Sequence, residues 1–151
     1  MKALIQRVSG ASVTVDTHCV GAIEHGILAY IGLGHEDNLQ TAQRMIDKIL
    51  TYRIFENRDD LAKAGKLDQN VQQVNGGLLL VSQFTLMANT NNGRRPDFGG
   101  AMHPDSAQEL FAELIAYAKT QHPNVASGEF GADMDVESIN NGPLNFLLEV
   151  S

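Results

Sequence analysis

Three short segments hold residue types that could present hydroxyls, amides or positive charge to a ligand. Ser82-Gln83-Phe84-Thr85-Leu86 closes an apolar run and offers two hydroxyls and a carboxamide at a strand end. Asn91 to Phe98 carries Arg94-Arg95-Pro96, and guanidinium forks suit phosphate oxygens. Gly128-Glu129-Phe130-Gly131-Ala132-Asp133-Met134 is followed by Asn140-Asn141-Gly142-Pro143. Taken singly, these read as an ordinary strand entering solvent, a solvated loop and two turns.

Generic catalytic patterns add nothing. His18, His25, His35, His103 and His122 form neither HxH nor HExxH, so no metal site is expected. There is no GxSxG, P-loop or GxGxxG, and Gly32-Leu33-Gly34 reads as a strand-end turn. The single cysteine, Cys19, excludes a disulfide framework within the chain and fits a reducing compartment. It reads as a small packed residue.

The elements that must position these segments follow from hydrophobic period. Lys2 to Ser9 and Ser12 to Asp16 each alternate, and Ser9-Gly10 between them predicts a turn joining a strand pair. Val20 to Ile23 reads as a short strand. Gly26 to Leu33 is a continuous apolar run of buried-strand length. Ala42, Met45, Ile46, Ile49 and Leu50 fall at helical spacing within Asn38 to Tyr52, with Asn38 or Thr41 as N-cap. Arg53 to Glu56 returns to strand character, and residues 57–77 read mostly as loop. Leu78 to Phe84 is the most apolar strand, and Ala88 to His103 is a long polar segment. Structureless loops of that length are uncommon in compact domains and often functional. Pro104 to Gln121 predicts a second helix with Leu110, Phe111, Leu114, Ile115 and Ala118 buried. Val125 to Phe130, Val136 to Asn140 and Leu144 to Val150 read as closing strands. The sum is one α+β domain over residues 1–151, with a largely antiparallel sheet or barrel and two main helices.

Length and charge set the outer limits. The chain has 151 residues, 43% of them hydrophobic, which suits one globular domain. No apolar run reaches the roughly 18–20 residues of a membrane span, and Gln6 and Arg7 fall where a signal peptide needs an apolar centre. A cytoplasmic protein without membrane contact is expected. The net charge of −7 argues against a protein that grips long nucleic acid. Residues 1–100 hold ten basic and ten acidic side chains, however, and residues 101–151 hold eight acidic ones and only Lys119. A local cationic site in the first two thirds is compatible with the total.

In order and spacing, SQFTL, GRRP-x-F, FGADM and N-x-GP together resemble the D-aminoacyl-tRNA deacylase family, as does the opening KALIQRVSGASVTVD. The resemblance runs from Met1 to Ser151. It implies an antiparallel barrel-like fold with helices packed outside, and a homodimer with its active site at the interface. It implies hydrolysis of the ester between a D-amino acid, or glycine, and the terminal adenosine of tRNA, without metal or cofactor. Ser82, Gln83, Phe84 and Thr85 would line the pocket, and Gly142-Pro143 of the other subunit would enter it. The family's Gly-Pro peptide is cis, whereas only roughly 5–6% of X–Pro bonds are cis, so the sequence alone predicts trans. Backbone carbonyls of that pair would face the α-carbon and reject L-side chains by collision.

Other positions take supporting parts in this resemblance. Arg7, on the Ala3–Ile5 side of the first strand, would lie beside the wedge, and Met134 would wall the pocket. Arg94 and Arg95 would meet phosphates of the tRNA acceptor end. Thr85 has no neighbouring base to activate it as a nucleophile, so attack by water assisted by the ribose 2′-hydroxyl is preferred, with Thr85 positioning. The chain departs from the family at Leu144-Asn145, where a β-branched residue and Thr are usual, and over Lys63 to Asn75. The competing readings are a non-catalytic module that binds the tRNA acceptor end and a hydrolase of a different acyl ester.

Overall fold

One long strand organises the sheet. β1 spans Lys2–Val15 in a computed structural model that describes residues 1–151. The expected turn at Ser9-Gly10 is absent, and the backbone passes straight through it. The final strand, β8 (Asp135–Glu149), runs antiparallel along the whole of β1. Its pairing register shifts between Gln6 and Val8 and again between Val8 and Gly10. The irregularity read as a turn is therefore taken up by bulges, which bend a strand without ending it.

The other edge of β1 is shared by two strands. β2 (His18–Ile23) pairs with its carboxyl half through a two-residue hairpin, Asp16-Thr17, with both residues at positive φ. β3 (Gly26–Gly32) pairs antiparallel with the amino half. Two further strands continue the sheet in parallel: β6 (Gly77–Ser82) beside β3, and β7 (Val125–Ser127) beside β6. Parallel neighbours need crossovers, and each crossover here contains a helix. β2 and β7 then approach closely, since a Cβ on Gly21 would sit 2.4 Å from the Ser127 carbonyl oxygen. That contact brings the sheet close to a closed barrel. A separate small ladder joins β4 (Phe55–Glu56) to β5 (Leu67–Gln69). Residues 57–77, expected mostly as loop, thus include a strand and a 3₁₀ turn at Leu61–Lys63.

Both helices form where the period places them. α1 is Leu39–Thr51, capped by Asn38, whose side chain accepts from the Gln40 and Thr41 amides while Thr41 Oγ1 accepts from the Asn38 amide. Ala42, Met45, Ile46, Ile49 and Leu50 are buried. α2 is Pro104–Gln121, with Ala107, Leu110, Phe111, Leu114 and Ala118 buried and Ile115 only half-buried. The helices cover one face of the sheet, meeting Ile5, Ile27, Ile31, Leu78 and Leu80. Alternation sends Leu28, Leu79 and Val81 to the opposite face, where they form a second core with Val8, Val13 and Ile23. Each such fully buried aliphatic side chain contributes roughly 1.5–3 kcal/mol. Cys19, expected to be packed, is exposed on β2, beside the register shift between Val13 and Thr14. No helix is long and apolar enough to cross a membrane.

Candidate active site

β6 ends at Ser82, and the chain turns sharply there. The Gln83 amide still donates to the Ile31 carbonyl at 2.8 Å, after which Phe84–Met87 form a 3₁₀ turn. The turn lies against Gly32, where a Cβ would be 2.9 Å from Leu86 Cβ and 3.2 Å from the Gln83 oxygen. Phe84 and Thr85 open this turn, so their amides have no partner within it. The Gln83 carboxamide donates to Thr85 Oγ1, tying the two polar side chains together. Phe84 is 58% exposed and meets Phe98 edge-on, with ring centroids 5.0 Å apart.

Ser82, Gln83 and Phe84 face a cavity of about 770 Å³. Ile31, Leu33, Val81, Met102, Phe130 and Met134 supply most of the rest of its wall. Met134 also packs against the second core. Thr85 is exposed and outside the wall. The only titratable side chains in the wall are His35 and His103. His35 Nε2 bonds to the Gly99 carbonyl, and His103 Nδ1 accepts from the Asp105 amide at the start of α2. Sequence reasoning did not select either histidine. The cap position before Pro104 was the available signal for His103; His35 is brought in only by tertiary contact. No cluster of His, Cys, Asp or Glu could hold a metal ion.

The long polar segment is tied at its base. Asn89 and Asp97 exchange backbone bonds of 2.7 and 3.2 Å, and the Met102 amide donates to the Leu33 carbonyl at 2.9 Å. Phe98, Gly99 and Ala101 enter the cavity wall. Arg94 and Arg95, at the exposed tip beyond Gly93, do not, and neither forms an ion pair within the chain.

Gly142 and Pro143 stand on a different structure. Val8 pairs with Asn140 and Gln6 with Asn145, so four residues of β8 oppose the single residue Arg7. Residues 141–144 therefore bulge outward, with Gly142 and Pro143 exposed and the peptide between them cis. Arg7 braces the bulge from beneath. Its Nε donates to the Asn141 carbonyl at 3.3 Å and its Nη1 to the Ile54 carbonyl at 2.9 Å. Asn140 Nδ2 donates to the carbonyls of Arg7 (3.0 Å) and Leu144 (3.2 Å), closing the base of the bulge. Gly142 has φ +118, and a Cβ there would lie 3.0 Å from Arg7 Nη2. Asn145 pairs with Gln6 beyond the bulge. Within one chain, Gly142, Pro143 and Arg7 are not part of the cavity that Ser82, Gln83 and Phe84 face.

A nearly closed α+β barrel with outer helices, carrying a mostly apolar cavity at a strand end, is thus the class the fold and site define. Residues 4–149 match the family described as D-Tyr-tRNA(Tyr) deacylase, and the chain belongs to that family. A D-aminoacyl-tRNA deacylase of Psychrobacter arcticus is 80% identical over 150 residues, covering 99% of each chain. One of Acinetobacter baumannii is 54% identical over 99% of each. Among solved structures, one named c-Myc DNA Unwinding Element Binding Protein superposes with TM-score 0.92 at 34% identity, over 100% of this chain and 99% of its own. A probable eukaryotic D-amino acid tRNA deacylase shares the fold at TM-score 0.84 and 14% identity, covering 99% and 98%.

Proposed function

We propose that the chain hydrolyses the ester joining a D-amino acid to the terminal adenosine of tRNA, releasing free tRNA. The observation that carries this reading is the pair of Phe84 and Thr85 amides, open at the start of a turn, beside a cavity whose wall contains no carboxylate. An ester carbonyl under attack becomes an oxyanion, and preorganised amides are suited to receive it. The wall has no carboxylate, and its two imidazoles are engaged with the Gly99 carbonyl and the Asp105 amide, so the nucleophile is water, assisted by the ribose 2′-hydroxyl. Water adds to the carbonyl carbon, the ester C–O bond breaks, and the ribose oxygen leaves with a proton. Thr85, held by Gln83, orients rather than attacks.

The active form is a homodimer in which Gly142-Pro143 of one subunit enters the cavity of its partner. Two features support this. The pair lies outside the cavity wall of its own chain. Beside it, β8 exposes Ile139 and Leu147, 67% and 55% accessible, an apolar surface that a partner would cover. The backbone of the pair then rejects L-side chains by collision, while glycine, having no side chain, is admitted. Arg7 holds the wedge, Met134 walls the pocket, and Arg94 and Arg95 meet acceptor-end phosphates. This chemistry belongs in the cytoplasm.

Incubating the full chain with D-Tyr-tRNA and L-Tyr-tRNA tests the reading. Fast release of D-Tyr with negligible release of L-Tyr is expected. Equal turnover would sink the chiral assignment. Binding of both without turnover would favour a second reading, a non-catalytic module that binds the tRNA acceptor end; the 34% identical structure is itself named as a DNA-element binding protein.

A further inference from the structure

A second cavity, of about 570 Å³, lies behind the Gly142-Pro143 bulge. Its wall differs from that of the first. Arg7, Arg58 and His25 supply cationic and imidazole groups, and Gln69, Gln73 and Asn75 supply carboxamides. Glu56 and Asp59 lie on the same wall, and Asn141, the residue before the Gly-Pro pair, closes it towards the bulge. Only two wall residues are hydrophobic, Phe55 and Val74, and the His25 ring stands edge-on to Phe55 at 5.1 Å.

We propose that this cavity binds one ribonucleotide of the substrate's 3′ strand, taking its phosphate on Arg58 and the edge of an amino-bearing base on the carboxamides and carboxylates. The inference rests on the tRNA reading above and extends it to a second contact. The volume lies within the roughly 300–1,000 Å³ of small-molecule sites. A guanidinium suits a phosphate oxygen. Carboxylates accept from the exocyclic amine of cytosine or adenine, which uracil lacks, so Glu56 and Asp59 favour the amino-bearing bases; the carboxamides add donors that suit either. Partial burial, then Arg58 and Arg7, hold the His25 pKa below its ordinary value. His25 is thus neutral at pH 7 and adds a ring nitrogen rather than a third charge. Arg7 is already committed to two carbonyls, which leaves Arg58 as the guanidinium available to a ligand. Because Asn141 is shared between cavity and bulge, a strand held here is held at the root of the Gly-Pro wedge.

Nuclear magnetic resonance titration of the full chain with cytidine 5′-monophosphate and uridine 5′-monophosphate tests the chemistry. The cytidylate should shift the Gln73 and Asn75 amide signals and bind more tightly than the uridylate. Arg58→Ala should weaken cytidylate binding about tenfold or more, and changing both Glu56 and Asp59 to Ala should erase the preference for cytidylate. All three residues are exposed, so the fold should survive these changes. The source is tested with two substrates, D-Tyr-tRNA and D-tyrosyl-adenosine. Arg58→Ala should lower the ratio of their kcat/KM values about tenfold, mainly through KM for the tRNA. Equal binding of the two nucleotides, or binding unmoved by Arg58→Ala, would overturn the proposal. So would an unchanged substrate ratio, which would assign the cavity to free nucleotide instead. If the wild-type chain cleaves neither substrate, the deacylase reading fails, and the titrations still decide whether the cavity takes a nucleotide.

Discussion

The cavity at the end of β6 and the cavity behind the Gly142-Pro143 bulge are comparable in volume, about 770 and 570 Å³, and opposite in chemistry. The first is walled by Ile31, Leu33, Val81, Phe98, Met102 and Phe130, with polar groups confined to one strand end and two histidines. The second has Phe55 and Val74 as its only apolar wall residues. An apolar wall strengthens each hydrogen bond made inside it and reads shape. A charged, amide-rich wall reads donors, acceptors and phosphate. The two stand on one scaffold, in which β1 places Ile5 and Val8 in the cores and turns Arg7 to the polar cavity. A chain with net charge −7 can therefore address an anionic substrate locally.

The largest test of this division is Gly142→Ala. A Cβ at φ +118 and 3.0 Å from Arg7 Nη2 must displace either the guanidinium or the bulge. Turnover of D-Tyr-tRNA, measured as kcat/KM, should fall about 100-fold or more, equivalent to about 2.7 kcal/mol, with the far-ultraviolet circular dichroism unchanged. Arg7→Ala removes the brace from below. It leaves the Asn141 and Ile54 carbonyls without their guanidinium partner, so chemical denaturation should show a loss of about 1–3 kcal/mol. Activity should drop about tenfold, and stability and rate should fall together, unlike Gly142→Ala.

Smaller effects separate the sites further. Changing both Arg94 and Arg95 to Glu should raise KM for the tRNA severalfold and flatten its salt dependence, leaving kcat near wild type. Thr85→Ala should keep at least about a tenth of the activity; a loss of several orders of magnitude with binding intact would make Thr85 the nucleophile. The smallest effect concerns His25. Its native pKa is lowered, so as pH falls the unfolded chain takes up the proton first. The His25 contribution to stability is complete above the unfolded value of about 6.5 and declines as pH drops through it towards the native one. His25→Gln should reduce the difference in urea midpoint between pH 7.5 and pH 5.5.

Local signals were read well and non-local ones less so. The helices were legible because Ala42, Met45, Ile46 and Ile49 carry the period and Asn38 carries the cap, all within a few turns of chain. The breaks in β1 and β8 were misread for one reason. Ser9-Gly10 and Gly142-Pro143 carry turn-forming residues, yet each strand has a partner that continues past the irregularity, and pairing turns a break into a bulge. The parallel pairings of β6 depend on crossovers that no local pattern encodes. Of the residues named from sequence, Ser82, Gln83, Phe84 and Met134 share one cavity, while Arg7 and the Gly-Pro pair form a second assembly. The polar cavity itself was invisible, because Arg7, His25, Arg58 and Gln73 come from four separate segments.

The four-against-one bulge in β8 has a consequence for insertions and deletions. Side chains of a strand alternate, so Leu147 faces outward and Leu148, only 3% accessible, faces the core. Losing one residue from 141–144 would exchange these two faces for everything downstream, unless the whole strand slipped against β1. Losing two would shorten the bulge and leave the alternation intact. Gly142 and Pro143 restrict its composition at the tip, and parity restricts its length: variants that keep the fold should differ there by pairs of residues, and a single deletion should have its folding rescued by a second one beside it.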